Sequence, residues 1–379
     1  MRTGIVEMGL HPRGAPDSLL RASRLLATAA GADSMWLPDH LIGIVPASIW
    51  APRHMAVARV VQRGDGYYEP WTALGYLAAR NRLSRLRLGV GVTDSGRRNP
   101  AVTAQAAATL HLLTRGRAIL GIGPGEREGN QPYGVEWSKP VARFEEALAT
   151  IRLLWDSGGR PVSRDSDFFP LRDAVFDVPP HRGTRPQIWI GAHGSRMLRS
   201  VGRYADAWFP GFPQRPKDYG AKLTRIRTAA SDAGRSPDAI TPAGWFAVAP
   251  ARSRAEADEM LGSVGARVLA LCVSADVWAR HGAEHPMGAN FSGVQDLLPQ
   301  TLSEEQALAC ANQVPESLLR ECAICGTPAD ILDQFAEWHD HGLRYPVLLN
   351  AGPMCHTSVR AGMLTAGPFL KVLRALKRL

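Results

Sequence analysis

Ser34-Met35-Trp36-Leu37-Pro38-Asp39-His40 is the stretch that decides the fold. Ser34–Leu37 reads as a short buried strand, and it ends in a proline followed by two titratable side chains. The same arrangement recurs. Leu86–Val92 runs into Gly91-Val92-Thr93-Asp94, Ala118–Gly123 into Gly121-Ile122-Gly123-Pro124-Gly125-Glu126, and Ile188–Ala192 into Gly191-Ala192-His193-Gly194. Working outward, Gly4–Met8, Ala207–Pro210, Trp245–Val248 and Tyr345–Leu349 bring the strand candidates to eight. Helical patterns fall between them: Asp17–Ala30, Trp71–Arg80, Ala101–Leu113, Arg143–Trp155, Ser195–Tyr204, Asp218–Ala233 and Pro328–His341, with Thr357–Leu379 closing the chain. Strand–helix alternation is the signature of a parallel sheet, and apolar strands buried on both faces are what such a sheet requires. Count and length favour a closed (β/α)8 TIM barrel over an open sheet. One domain is expected over residues 1–379, with insertions after strands two, four and seven. The last insertion, about 274–315, holds Pro286, Gly288, Gly293 and Pro299.

The 379 residues, 45% hydrophobic and 21% charged, suffice for a large core without disulfides. The five cysteines (Cys272, Cys310, Cys322, Cys325 and Cys355) are odd in number and late, which fits a reducing cytoplasm. Cys322 and Cys325 lack a second pair at zinc spacing. Met1–Val6 is followed by Glu7 and Pro12 without the apolar core of a signal peptide, and no apolar run of about 18 residues suggests an integral membrane segment. The net charge of +9 comes from dispersed arginines, among them Arg21, Arg24, Arg80, Arg82, Arg85, Arg87, Arg97 and Arg98. No nucleic-acid motif accompanies them, whereas a cofactor with a polyanionic tail would profit from the field. Lys371 to Arg378 reads as a solvated basic helix face.

In such barrels the active site lies at the C-terminal ends of the strands, which turns the strand reading into a residue list. His40 is a candidate proton donor, as a histidine holds or releases a proton near neutral pH. Glu126 is the second, because a carboxyl in an enclosed cavity gains proton affinity. A surface glutamate between loop charges is an equally good reading of Glu126 from the pattern alone. Gly191 to Gly194 precedes a helix starting near Ser195, so free amides there can meet an anion. Gly121, Gly123 and Gly125 do not have the dinucleotide spacing. Trp50, Met55, Tyr67, Tyr68, Trp71, Tyr133 and Trp137 sit in segments that overhang the mouth and are expected to wall a hydrophobic pocket. The histidines fit no metal-ligand spacing, so no metal is expected, and no serine-nucleophile elbow is present.

Several motifs together resemble the luciferase-like monooxygenase superfamily: Ser34–His40, Asn99-Pro100-Ala101-Val102-Thr103-Ala104-Gln105, Gly121–Glu126, Gly202-Arg203-Tyr204-Ala205-Asp206-Ala207-Trp208 and Gly326-Thr327-Pro328. They span nearly the whole chain in the family's order. Thr93–Gly123, Gly125–Arg152 and His285–Asp296 are similar to the branch that uses coenzyme F-420, an 8-hydroxy-5-deazaflavin, and within it to ketoreductases of phthiodiolone-type lipids. The resemblance implies a deazaflavin lying across the barrel mouth. Asp39 and His40 match positions that contact its ring and the substrate. Gly91, Val92 and Thr93 match a strand-three bulge, often with a cis peptide, that backs the ring. Gly191, Ala192, His193 and Gly194 match contacts on the phosphate side, and Asn130 matches a nearby cofactor contact. Glu126 matches the proton donor of the sugar-phosphate dehydrogenases of that branch. Those enzymes carry a tryptophan where this chain has Ile44, and a threonine and lysine where it has Gly211-Phe212-Pro213-Gln214-Arg215. An apolar lipid ketone is therefore favoured over a sugar phosphate. The expected reaction is hydride transfer to the ketone carbon with a proton from His40, or from Glu126 as second choice. An FMN-dependent monooxygenase and a non-catalytic lipid-binding barrel stand as alternatives. A homodimer is expected, cytoplasmic or peripheral to the inner membrane, without nucleic acid.

Overall fold

A computed structural model describes residues 1–81, 85–212 and 215–379, so that Arg82, Pro213 and Gln214, considered above, lie outside the described residues. Eight parallel strands close into a barrel: β1 (Gly4–Val6), β2 (Ser34–Leu37), β3 (Arg87–Asp94), β4 (Ala118–Gly123), β5 (Gln187–Ile190), β6 (Ala207–Trp208), β7 (Thr241–Pro250) and β8 (Tyr345–Asn350). Each pairs with its neighbour in sequence, and β8 pairs back onto β1 through Gly4 opposite Val347. Strand–helix alternation thus produced the TIM-barrel architecture expected from it. The outer ring consists of α1 (Ser18–Ala30), α2 (Pro70–Arg80), α3 (Pro100–Leu113), α4 (Pro140–Asp156), α5 (Ser195–Tyr204), α6 (Pro216–Asp232), α7 (Pro328–Asp340) and α8 (Ala366–Leu376). Four of these helices start earlier than the apolar period suggests. Pro70, Pro100, Pro140 and Pro216 occupy the first helical turn, where a missing N–H costs nothing and the fixed φ suits the helix.

Two apolar layers hold the barrel. Between strands and helices lies the main core, with Leu88, Leu120, Ile188 and Leu348 facing helix residues such as Leu74, Phe144 and Phe369. The lumen is plugged by aromatics. The Trp36 ring lies 4.8 Å from both Trp189 and Phe209, and Trp189 lies 4.9 Å from Tyr345. Their polar ends are satisfied in place: Trp36 Nε1 and the Tyr345 hydroxyl both donate to Ser34 Oγ, at 2.7 and 2.8 Å. These rings fill the lumen between the strands.

The excursion between strands seven and eight is larger than expected. Helical structure begins at Arg254, twenty residues before the predicted start, and runs through Arg254–Gly262, Val264–Leu269, Ala275–Arg280, Glu304–Asn312 and Glu316–Cys322. A short strand, Ile324–Gly326, then adds to the end of β7. The insertion after β4 likewise contains an unforeseen antiparallel hairpin, Val162–Arg164 with Leu171–Ala174. All five cysteines are free thiols. Among the described residues no helix is long and apolar enough to cross a membrane.

Candidate active site at the barrel mouth

A cavity of about 540 Å³ opens among the C-terminal ends of the strands, within the range of roughly 300–1,000 Å³ usual for ligand pockets. Asp39 and His40 reach it from the end of β2, Gly91 to Asp94 from β3, Gly123 to Glu126 from β4 and Gly191 to Gly194 from β5. Phe209 and Trp245 line it from the β6 and β7 side. The helical insertion supplies the far wall through Cys272, Val273, Val277 and Val294.

The centre of the mouth is a cluster of three ionisable groups. His40 Nδ1 lies 3.3 Å from Glu128 Oε1 and 3.5 Å from Glu126 Oε2. Backbone geometry sets this up. At Gly125, φ is +89°, a value that favours glycine, and an added Cβ would collide with the Asp94 carboxylate. Asp94 in turn accepts backbone N–H bonds from Gly96 at 2.6 Å and Arg97 at 3.1 Å, and a bond from the Asn130 amide. The same Asn130 amide donates to the Glu126 carbonyl at 2.7 Å, which ties the loop after β4 to the end of β3. A single 3-10 turn, Arg127–Gly129, then swings Glu128 inward beside Glu126.

Burial, and next the adjacent Glu128 carboxylate, raise the proton affinity of Glu126 well above the ordinary carboxyl range. Although 28% of its side chain is accessible, that residue faces the cavity, where protein surrounds it. Burial also pushes Glu128 upward, but the hydrogen bond and charge of His40 outweigh it and hold Glu128 below its usual value. The cluster therefore sets a carboxyl of raised proton affinity beside one of lowered proton affinity, with the His40 ring close to both. Its donor atoms all lie within 4.8 Å of one another. The raised proton affinity of Glu126 suits it to handling a proton.

Asp39 is a tie between strand ends. Its carboxylate accepts from Thr93 Oγ1 at 2.5 Å and from Arg97 Nη2 at 2.9 Å, with Arg98 Nη2 at 3.4 Å. Arg97 also donates to the Asp39 carbonyl at 2.8 Å and the Gly129 carbonyl at 3.2 Å. One guanidinium thus fastens the tips of β2 and β3 to the loop after β4.

Another part of the cavity wall, formed by Gly194, Gly211 and Lys222, suits an anion. Gly194 has φ −76°, open to any residue, and a Cβ there would meet nothing within 4 Å. Gly211 is equally unobstructed. Packing does not explain side-chain-free backbone at these wall positions, whereas a ligand passing close to the chain does. Lys222 of α6 lines the same region, and α5 begins there with its free amides. Burial lowers the Lys222 pKa against the opposing charges of Asp218 and Asp276. The bare glycines, the amides and the lysine fit the phosphate end of a flavin-like cofactor.

Asp39, His40, Gly91, Val92, Thr93, Glu126, Gly191, Ala192, His193 and Gly194 all line this one cavity. The Gly91–Val92 peptide is cis, at the register break between Val90 and Thr93. Asn130 requires correction. It is fully buried behind the wall, where it holds Asp94 and Glu126, and it reaches no ligand space. The expected aromatic wall is also absent from the lining. Met55 and Trp50 instead pack with Val45 and Ile49 against Val268 and Ala307 of the insertion, because the segment after β2 uses its apolar side chains to dock that insertion. Ile44 does reach the cavity. Glu128, Arg97 and Lys222 escaped sequence reasoning. Glu128 left one signal, a second glutamate two residues after the first in a glycine-flanked loop.

The sequence model described as luciferase-like monooxygenase matches residues 6–345. The phthiodiolone/phenolphthiodiolone dimycocerosates ketoreductase of Mycobacterium tuberculosis is 56% identical over 380 aligned residues, covering 100% of this chain and 99% of that protein. The 5,10-methylenetetrahydromethanopterin reductase of Methanolobus tindarius is 28% identical over 324 residues, covering 84% of this chain and 86% of its own. Among solved structures, an F420-dependent secondary alcohol dehydrogenase in complex with an F420-acetone adduct superposes with a TM-score of 0.75 at 21% identity, covering 99% of both chains.

Proposed function

This chain belongs to the luciferase-like monooxygenase family, and we propose that it is a coenzyme F-420-dependent ketoreductase acting on a long-chain lipid ketone of the phthiodiolone type. The observation that carries the reading is the one cavity that His40 and Glu126 share with a bare glycine backbone and Lys222. The 56% identity to a ketoreductase along the full chain supports the same substrate class.

The chemistry supplied by a bound reduced deazaflavin is a hydride for the carbonyl carbon. Gly91 to Thr93 and Gly191 to Gly194 would hold its ring and phosphate sides, with Lys222 near the phosphate. The chain's own residues then handle the oxygen. As negative charge develops there, a positioned acid must meet it. Glu126 has a raised proton affinity and faces the cavity, and we assign it the transferred proton. His40, at 3.5 Å, shares that oxygen-facing position. Phe209, Val273 and Val277 exclude water from the reacting atoms. A cavity of about 540 Å³ is of a size for the keto end of such a lipid and too small for its long chains.

Binding isotherms with F-420 and FMN side by side test the cofactor. Saturable binding of F-420 alone is expected, and tight FMN binding with oxygen consumption would instead establish the monooxygenase alternative. For the substrate, chain-shortened phthiodiolone-type ketones are expected to be turned over with reduced F-420. Turnover of a sugar phosphate in preference to any apolar ketone would refute the assignment.

A further inference from the structure

Glu128 is a buried charge that the proposed reaction does not itself consume. Its side chain is 3% exposed, and it is the middle residue of a single 3-10 turn, Arg127–Gly129. A lone carboxylate so placed loses hydration without return unless specific partners replace it. Its Oε1 approaches His40 Nδ1 at 3.3 Å, Oε2 is buried without a hydrogen-bond partner, and a Glu126 carboxyl oxygen lies within 4.8 Å of the pair. The hydrogen bonds to the His40 ring run through Nδ1, which leaves Nε2 for the cavity that the ring lines. Here a carboxylate orients an imidazole, and it also sits against a carboxyl that can carry a proton.

We propose that Glu128 is a positioning residue: it anchors His40 through Nδ1, accepts the hydrogen bond of the Glu126 carboxyl, and so keeps the transferable proton on Glu126 rather than in solvent. The role in catalysis rests on the ketoreductase reading, whereas the hydrogen-bonding arrangement stands without it. Physically, two carboxylates in one enclosed site resist ionising together, so the better-anchored one takes the charge and the other keeps the proton. Glu128 is the better anchored, with His40 on one side and the loop turn beneath it. The other groups that act on Glu126 are Asp94, which raises its proton affinity, and Arg97, which lowers it. Tyr67 and Cys272 feel its charge from the segment after β2 and from the insertion, and burial keeps both protonated. His40 completes the shell. None of these replaces the carboxylate on the far side of the shared proton.

The test compares the full chain with Glu128→Gln and Glu128→Asp. The first readout needs no cofactor: the carboxylic-acid infrared band lost in Glu126→Gln is titrated in the unliganded protein. In Glu128→Gln its midpoint is expected to fall by on the order of one to two pH units, the effect of removing a like charge at short range. Glu128→Asp, which keeps the charge, should recover most of that shift. Nitrogen-15 NMR of the histidines should show the His40 Nδ1 signal moving in Glu128→Gln alone. The kinetic counterpart is the alkaline limb of kcat, which moves to lower pH in Glu128→Gln, as Glu126 must be protonated to act. A merely structural glutamate would lower activity at every pH without moving that limb. An unchanged Glu126 midpoint with an unchanged His40 signal overturns the proposal, even in a variant that melts earlier than the parent. Failure of the parent protein to bind F-420 would instead defeat the ketoreductase reading and leave the infrared and NMR results standing.

Discussion

Replacing Glu126 with glutamine keeps the shape of the side chain and removes its proton. A positioned general acid contributes roughly 10²–10⁴-fold, or about 2.7–5.4 kcal/mol at 1.36 kcal/mol per tenfold. The structure places the effect in the lower half of that range. His40 stands 3.5 Å from the Glu126 oxygen and can supply a proton directly or through one water. The glutamine amide can still donate to Glu128, so the carboxylate keeps a partner and the site keeps its geometry. A loss of about 10²–10³-fold in kcat is therefore expected. The assay is single-turnover oxidation of reduced F-420 at saturating ketone, where cofactor release does not mask chemistry. A kcat within about threefold of the parent would refute the assignment of the proton to Glu126. Stability carries an independent sign. Since the folded state raises the pKa of Glu126, its stabilising contribution is full below the ordinary carboxylate range and disappears as pH climbs through the raised value. Glu126→Gln lacks that dependence, so the parent should lose stability relative to the variant on the alkaline side. Glu128, whose pKa is lowered, has the opposite sign: its contribution is present above the ordinary range and lost as pH falls through the lowered value.

Arg97→Met should destabilise the fold by about 3 kcal/mol in urea titration, the lower end for breaking a buried ion pair, because Thr93 and Arg98 still hold Asp39. A change under about 1 kcal/mol would mean that the three strand ends are fastened elsewhere. Gly194→Val should leave the circular-dichroism spectrum unchanged, as no neighbour lies within 4 Å of the new Cβ, yet weaken F-420 binding by about tenfold or more. Unaltered affinity would show that the ligand does not approach this backbone. Lys222→Met should weaken F-420 binding by about tenfold and flatten its salt dependence, whereas an equal salt slope in both proteins would remove Lys222 from the anion site.

The sequence was sufficient for the barrel because its information is local. Ser34–Leu37, Ala118–Gly123 and Ser195–Tyr204 fall at the residues read from pattern alone, since apolar period, proline and glycine act within one element. Once the fold was a closed parallel barrel, chain direction placed His40, Glu126 and the Gly191–Gly194 turn at the same end. Which side chains meet at that end depends on pairs distant in sequence. Arg97 looked like one of many dispersed arginines until the mouth brought it against Asp39 and Gly129. Asn130 looked like a ligand contact until burial placed it behind the wall. Trp50 and Met55 after β2 looked like pocket walls until they packed against the insertion. Glu126 was evenly balanced between surface and site, and a single turn at Arg127–Gly129 decided it by bringing Glu128 alongside. Local periodicity carries the energy of forming each element, and so it can be read along the chain. Proton affinity and ligand space arise from charges and surfaces converging across the barrel, and only the tertiary structure determines those.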